Sequence, residues 1–205
     1  MSKQGKLIVI SGFSGVGKGT VVKQLVEKYG YSLSVSATTR SPRENEVDGK
    51  DYLFNTVEEF RNMIDCNGFI EYAQYVENYY GTPRAFVEEE MEKGHDVILE
   101  IEVKGAMQIK EQYPDAILIF ISAGSAKELR SRLEGRGTES REVVDKRMKR
   151  AREESEHISE YEYYVVNHDG KLDECVDEVH AIVRAGKHVC SLWEQEIHEM
   201  QEELA

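Results

Sequence analysis

The sequence predicts an α/β fold in which a parallel sheet is flanked by helices, and three observations carry that reading. Apolar runs of the kind found in strands buried on both faces recur at residues 6–11, 96–101 and 116–121. Helical patterns alternate with them, at 17–28 and 105–113, which implies right-handed βαβ units. The chain has 205 residues, 40% hydrophobic and 32% charged, which excludes a disordered chain. At roughly 150 residues per domain, that length allows one compact domain carrying an insertion.

The first strand, 6–11, is built on Leu-Ile-Val-Ile and ends at glycine. The helix that follows, 17–28, has Val21, Val22, Leu25 and Val26 on one stripe and Gly30 just past its end. Residues 32–94 break the rhythm, with short extended pieces at 34–39, 52–54 and 69–76 and two helices between and after them. Thr56-Val57-Glu58-Glu59 reads as a capping box opening the first helix. Thr82-Pro83 reads as an N-cap and first-turn proline opening the second, which closes at Gly94. This stretch is therefore expected to be an inserted α+β subdomain. The main rhythm returns with the strands at 96–101 and 116–121, a helix between them stopped by Pro114, and a short strand at 163–166. Two helices joined near Gly186 complete the chain, the first striped by Leu172, Val176, Val179 and Val183.

Composition narrows the function classes. The longest aliphatic or aromatic run, 116–121, is far short of the ~20 residues that span a bilayer, and the N-terminus lacks the pattern of a secretory signal. A cytoplasmic protein that binds no membrane is expected. Cys66, Cys175 and Cys190 are widely spaced with no Cys-x-x-Cys pair, so they are expected to be buried reduced thiols. The net charge of −13 is concentrated in the C-terminal quarter, which argues against a nucleic-acid partner. The local basic excess at 125–150 needs its own explanation. The six histidines are dispersed with no His-Glu-x-x-His, and no protein-bound metal is expected.

The sharpest signal is Gly12-Phe13-Ser14-Gly15-Val16-Gly17-Lys18-Gly19-Thr20, lying between the first strand and its helix. The spacing Gly12-x4-Gly17-Lys18 is the Walker A arrangement in its required strand–loop–helix context. Glycines let successive N–H groups turn inward as an anion nest, and the helix N-terminus adds its positive end. Lys18 supplies a mobile cation to the β/γ-phosphates of a nucleoside triphosphate. The residue after Lys18 is glycine where a metal-binding Ser or Thr is usual, and Thr20 carries the nearest hydroxyl. In the insert, Arg40 and Arg43 stand three apart around a proline turn, with guanidinium forks suited to a phosphate dianion. Read singly, Tyr52 and Tyr80 are equally ordinary core aromatics, Glu71 an outward edge residue, and the basic stretch a solvated helix with i,i+4 pairs.

Together these motifs resemble the guanylate kinase family. The resemblance rests on Ser36-Ala37-Thr38-Thr39-Arg40-Ser41-Pro42-Arg43, Gly49-Lys50-Asp51-Tyr52-Leu53-Phe54, Phe69-Ile70-Glu71-Tyr72-Ala73 and Asn78-Tyr79-Tyr80-Gly81-Thr82. It extends through Arg132-Leu133-Glu134-Gly135-Arg136-Gly137-Thr138-Glu139 and spans residues 7–167. What it implies is a P-loop kinase core (about 1–31, 95–124 and 158–205), a GMP-binding insert (about 32–94) and a helical lid (about 125–157). The implied reaction is phosphoryl transfer from ATP, with Mg²⁺, to GMP and dGMP. Arg40, Arg43, Tyr52 and Tyr80 would hold the GMP phosphate, and Ser36, Glu71 and Thr82 would read the guanine. Lys18, Arg136 and Arg147 would be catalytic, the two arginines coming from the lid, and Asn167 would lie near the adenine. Glu100 and Glu102, after the strand core Asp96–Leu99, stand where many members have aspartates; which contacts substrate and which reaches Mg²⁺ through water stays open. Two rivals remain at this point: a catalytically silent binding module, and a P-loop kinase for another small acceptor. Between monomer and homo-oligomer the sequence makes no choice.

Overall fold

The computed structural model describes residues 4–75, 77–135 and 140–205. Along the chain lie β1 (Leu7–Gly12), α1 (Lys18–Tyr29), β2 (Ser32–Leu33), β3 (Ala37–Thr38), β4 (Leu53–Phe54) and α2 (Val57–Asp65). Then come β5 (Phe69–Tyr75), β6 (Asn78–Pro83), α3 (Arg84–Glu92), β7 (Val97–Glu100), α4 (Val103–Gln112) and β8 (Ile117–Ser122). The remainder is α5 (Ala126–Gly135), α6 (Arg141–Ser155), β9 (Tyr163–Val166), α7 (Leu172–Gly186) and α8 (Glu194–Glu203).

The central sheet has the order β2-β7-β1-β8-β9, with every neighbouring pair parallel. Every residue of β1 and β8 is buried because helices cover both faces. Alternate residues divide between the faces. Ile8, Ile10, Ile117 and Ile119 pack with Val21, Val22 and Leu25 of α1 and with Val176, Val179 and Val183 of α7. Leu7, Val9, Leu118 and Phe120 pack on the other face with Val87 of α3 and with Val103, Ala106 and Ile109 of α4. Each fully buried valine or leucine contributes about 1.5–3 kcal/mol of transfer free energy, enough to seat α7 despite its acidic outer face.

A second sheet, ordered β4-β3-β6-β5, forms the insert. Phe60 of α2 packs on Ala37 and Phe69 to give this sheet its own small core. Thr56 and Glu59 form the expected reciprocal capping box at α2. Three local expectations are corrected. Ser32 and Leu33 pair with β7 in the central sheet instead of starting the insert. Thr82 and Pro83 finish strand β6, so Thr82 caps no helix; its hydroxyl bonds across the sheet instead. Of the cysteines only Cys175 is buried, with its thiol pushed up to about 11 by that burial. Cys66 and Cys190 are exposed, because the ends of α2 and α7 lie at the surface where the sequence pattern gives no burial cue.

The acidic tail is fastened to the N-terminal edge of the central sheet. Lys187 pairs with Asp96 at 2.7 Å, and the Trp193 indole donates to the Lys187 carbonyl at 3.1 Å. Among the described residues no helix is long and apolar enough to cross a membrane.

Candidate active site

The phosphate loop sits at the carboxyl end of β1, between the two strands that flank it, where parallel α/β sheets bind their ligands. Gly17 takes φ +93°, a left-handed conformation that glycine adopts at little cost, and so turns the chain into α1. Lys18 Nζ lies across the loop mouth, donating to the carbonyls of Gly12 at 2.7 Å and Phe13 at 3.3 Å. Val16 is fully buried and anchors the loop to the core. Its carbonyl accepts from Asn167 Nδ2 at 2.8 Å and from Arg132 at 3.2 Å, while Arg147 donates to the Ser14 hydroxyl at 2.9 Å. Three elements distant in sequence thus brace one loop. Asn167, expected near the adenine, has its amide committed to the loop backbone. Arg136 lies outside the described residues.

Helices α5 and α6 carry the i,i+4 pairs of a solvated helix, such as Arg132–Glu128 at 2.5 Å and Arg150–Glu154 at 2.6 Å. The same arginines also reach inward. Arg150 donates to Glu102 at 2.8 Å, tying α6 to the N-cap of α4. Glu154 is buried beside this pair, and its carboxyl is raised by burial and then by Glu102. Glu100, at the end of β7, is exposed at its surface, yet the protein around its carboxyl removes enough water to raise its pKa, which Lys18 holds back and Glu102 raises further. A Cβ added at Gly19 would stand 3.6 Å from Glu100, an ordinary contact, so glycine there is not required by crowding. Among the described residues no three His, Cys, Asp or Glu side chains cluster to hold a metal by themselves.

Facing the loop, the insert gathers its polar aromatic set. Arg40 lies over the Tyr52 ring with its guanidinium carbon 5.3 Å from the centroid. The rings of Tyr52 and Tyr80 meet edge-on at 6.1 Å. Burial, and then Glu100, push the Tyr52 hydroxyl above its ordinary pKa. Glu46, which the sequence reading missed, orders the arginines: it accepts from Arg40 at 2.9 Å and from the Arg43 backbone N–H at 2.8 Å. Its hydrogen bond with Arg40 is the main reason its carboxyl is held below the usual range. The only available signal was an acid three and six residues beyond two arginines. Arg43 itself is mostly exposed.

Glu71 is 5% exposed, so its side chain is buried although β5 is an edge strand. A register shift between Phe69 and Glu71 leaves Ile70 as the extra residue of a bulge and sets Glu71 opposite Thr82. The Thr82 hydroxyl donates to Glu71 Oε1 at 2.6 Å. The β3–β6 pairing of Ala37 with Gly81, continued by one step, puts Ser36 opposite Thr82. Ser36, just before β3, therefore falls in register with the paired Thr82 and Glu71. Gly105 of α4 leaves room for the Glu71 carboxyl, since a Cβ there would lie 2.4 Å from Glu71 Oε2.

Burial pushes the Glu71 carboxyl from the usual 4.5 up to about 7, against the opposing Thr82 hydrogen bonds. The folded protein thus holds this proton more tightly than the unfolded chain. Stability of the ligand-free protein should fall as pH rises from about 4.5 to about 7, by no more than about 3 kcal/mol from this group. Glu71→Gln should remove that dependence. Thermal midpoints of both proteins across this range test it, and parallel curves would refute it.

A parallel sheet with a braced glycine-rich loop at the end of β1, joined to an inserted second sheet, is the architecture of a P-loop nucleotide-binding protein. The comparisons give the family. The Guanylate kinase family model matches residues 4–186. The chain is 50% identical over 188 residues to the guanylate kinase of Caldanaerobacter subterraneus subsp. tengcongensis, covering 91% of this chain and 90% of that protein. It is 53% identical over 174 residues to the guanylate kinase of Streptococcus thermophilus, covering 84% and 83%. The crystal structure of guanylate kinase from Anaplasma phagocytophilum matches with a TM-score of 0.75 and 30% identity over 95% of this chain and 96% of that one. The chain belongs to the guanylate kinase family.

Proposed function

We propose that the chain transfers the γ-phosphate of ATP reversibly to GMP, giving ADP and GDP. The observation that carries this reading is the shared register of Ser36, Thr82 and Glu71 beside the cluster of Arg40, Arg43, Tyr52 and Tyr80. Once ionised, the buried Glu71 carboxylate only accepts, which suits a base that presents adjacent donors, and the cluster supplies cations and hydroxyls for its phosphate.

A monophosphate at neutral pH is already largely a dianion and needs no strong base. The protein's task is to hold acceptor and donor in line, offset their charge and exclude water, the competing acceptor. Lys18 and Arg147 lie at the phosphate loop and serve the transferring group. Arg40 and Arg43 hold the acceptor phosphate against repulsion from ATP. A Mg²⁺ ion bound with the nucleotide would add positive charge to its phosphates and would need one or two carboxylates to hold it. Glu100, beside Gly19 and Lys18, fits that need, whereas Glu102 is engaged by Arg150. A cytoplasmic location is part of the same reading, and unpaired cysteines suit it.

Arg136 is assigned to the lid on its motif alone. Acting in the closed complex, it should affect the transition state more than binding. Arg136→Ala is expected to lower kcat more than it raises the KM for GMP. An unchanged kcat with weaker affinity alone would take Arg136 off the catalytic set. The overall reading is tested by coupled ADP release with AMP, CMP, UMP, dTMP and GMP at equal concentration. GMP should be preferred; no turnover would mark a binding module, and preference for another base a different kinase.

A further inference from the structure

We infer that Gln108 of α4, helped by Gln112 one turn later, is a positioning residue that fixes the strand carrying Glu71 and so sets base selectivity from outside the pocket. The inference rests on the reading of Glu71 as the group that recognises guanine.

Strand β5 is the edge of the insert's sheet, so one row of its backbone groups has no strand to pair with. Helix α4 supplies the missing partner through side chains. The Gln108 carboxamide accepts from the Tyr72 N–H at 3.2 Å and donates to the Tyr72 carbonyl at 2.8 Å. This reproduces the two-bond exchange of a neighbouring strand residue. Gln112 donates to the Ile70 carbonyl at 2.8 Å, satisfying the extra residue of the bulge. Glu71 lies between these two pinned residues. Gly105, on the same side of α4, borders its carboxylate directly.

Helix α4 makes a firm reference because Val103, Ala106 and Ile109 are buried against the central sheet. The N-cap of the helix is Glu102, two residues after Glu100, whose carboxyl feels the Lys18 charge. The two glutamines therefore set the distance between the base pocket and the phosphate-transfer end of the site. A carboxylate that must meet two donors at once tolerates little displacement, and about 1 Å of misplacement can cost up to ~10²-fold. Tyr72 is exposed, so water can replace the lost bonds in a truncated variant. Truncation should therefore loosen position without much loss of stability.

The test compares Gln108→Ala, Gln108→Glu and Glu71→Ala with the parent in steady-state kinetics, with thermal midpoints alongside. Gln108→Ala should raise the KM for GMP about 10-fold and narrow the GMP-over-AMP preference. The KM for ATP should hold, with the midpoint within about 3 °C. Gln108→Glu can accept from the Tyr72 N–H but cannot donate to its carbonyl, so it should not restore GMP affinity. Hydrogen exchange at the Tyr72 amide, slow in the parent, should quicken in Gln108→Ala. Unchanged GMP kinetics would overturn the proposal. So would equal losses for both nucleotides with a large fall in midpoint, the mark of a merely structural residue. If Glu71→Ala loses base preference and Gln108→Ala keeps it, the positioning role alone falls. If Glu71→Ala keeps its preference, the reading of Glu71 falls and takes this one with it.

Discussion

Lys18→Ala is expected to lower kcat for ADP formation by about 10²-fold or more, while the protein stays folded. The magnitude is that of removing one preorganised electrostatic stabiliser from a phosphoryl-transfer site. Lys18 is the cation at the loop mouth, donating to the Gly12 and Phe13 carbonyls, and it takes no part in the buried clusters. The loop stays anchored through Val16, Asn167 and Arg132 in the variant. Kinetics with saturating ATP and GMP, with a thermal midpoint as control, provide the measurement. Near-normal turnover would remove the loop from the donor site.

Glu71→Ala is expected to lose most of kcat/KM for GMP and to narrow the preference for GMP over AMP, with the KM for ATP little changed. Guanine presents N1–H and the N2 amino group as adjacent donors, and one carboxylate can accept from both. Adenine offers an unprotonated N1 there and has no 2-amino group. Ionised Glu71 would then face a lone pair in a buried site, keeping the Thr82 hydroxyl as its donor. Sites that pair polar groups in this way discriminate by 10⁴-fold or more, beyond what an apolar pocket reaches. Thr82 and Ser36, whose hydroxyls donate or accept, serve the base O6 or the carboxylate itself. Full retention of the GMP-over-AMP ratio in this variant would return Glu71 to an ordinary edge glutamate.

Some of this site is legible in the chain order because the chemistry is local. The phosphate loop needs consecutive glycines and a lysine between a strand and a helix, and all of them lie within residues 12–20. The helices α1, α4 and α7 declare themselves through a period that neighbouring residues carry. The capping box at α2 is equally local, since its two bonds join residues three apart.

Strands β2 and β6 escaped the sequence reading for the converse reason. β2 has two residues and is a strand only because β7 lies beside it. β6 carries polar and aromatic residues whose alternation has no single meaning until β3 and β5 pair with it. Thr82 reads as a helix cap before proline, yet its hydroxyl finds a carboxylate 11 residues away across the ladder.

The sequence by itself determined the class of chemistry: a nucleotide phosphate loop, paired arginines and an acidic element, each set by residues close in the chain. Tertiary structure alone decided which groups meet. It put Glu46 between the two arginines, Asn167 under the phosphate loop and Arg150 on Glu102. It also gave the edge of β5 to two glutamines. These are hydrogen bonds between polar side chains and partners several residues to over a hundred residues away. No periodicity announces them, because a polar side chain has the same local signature whether water or a distant backbone group satisfies it.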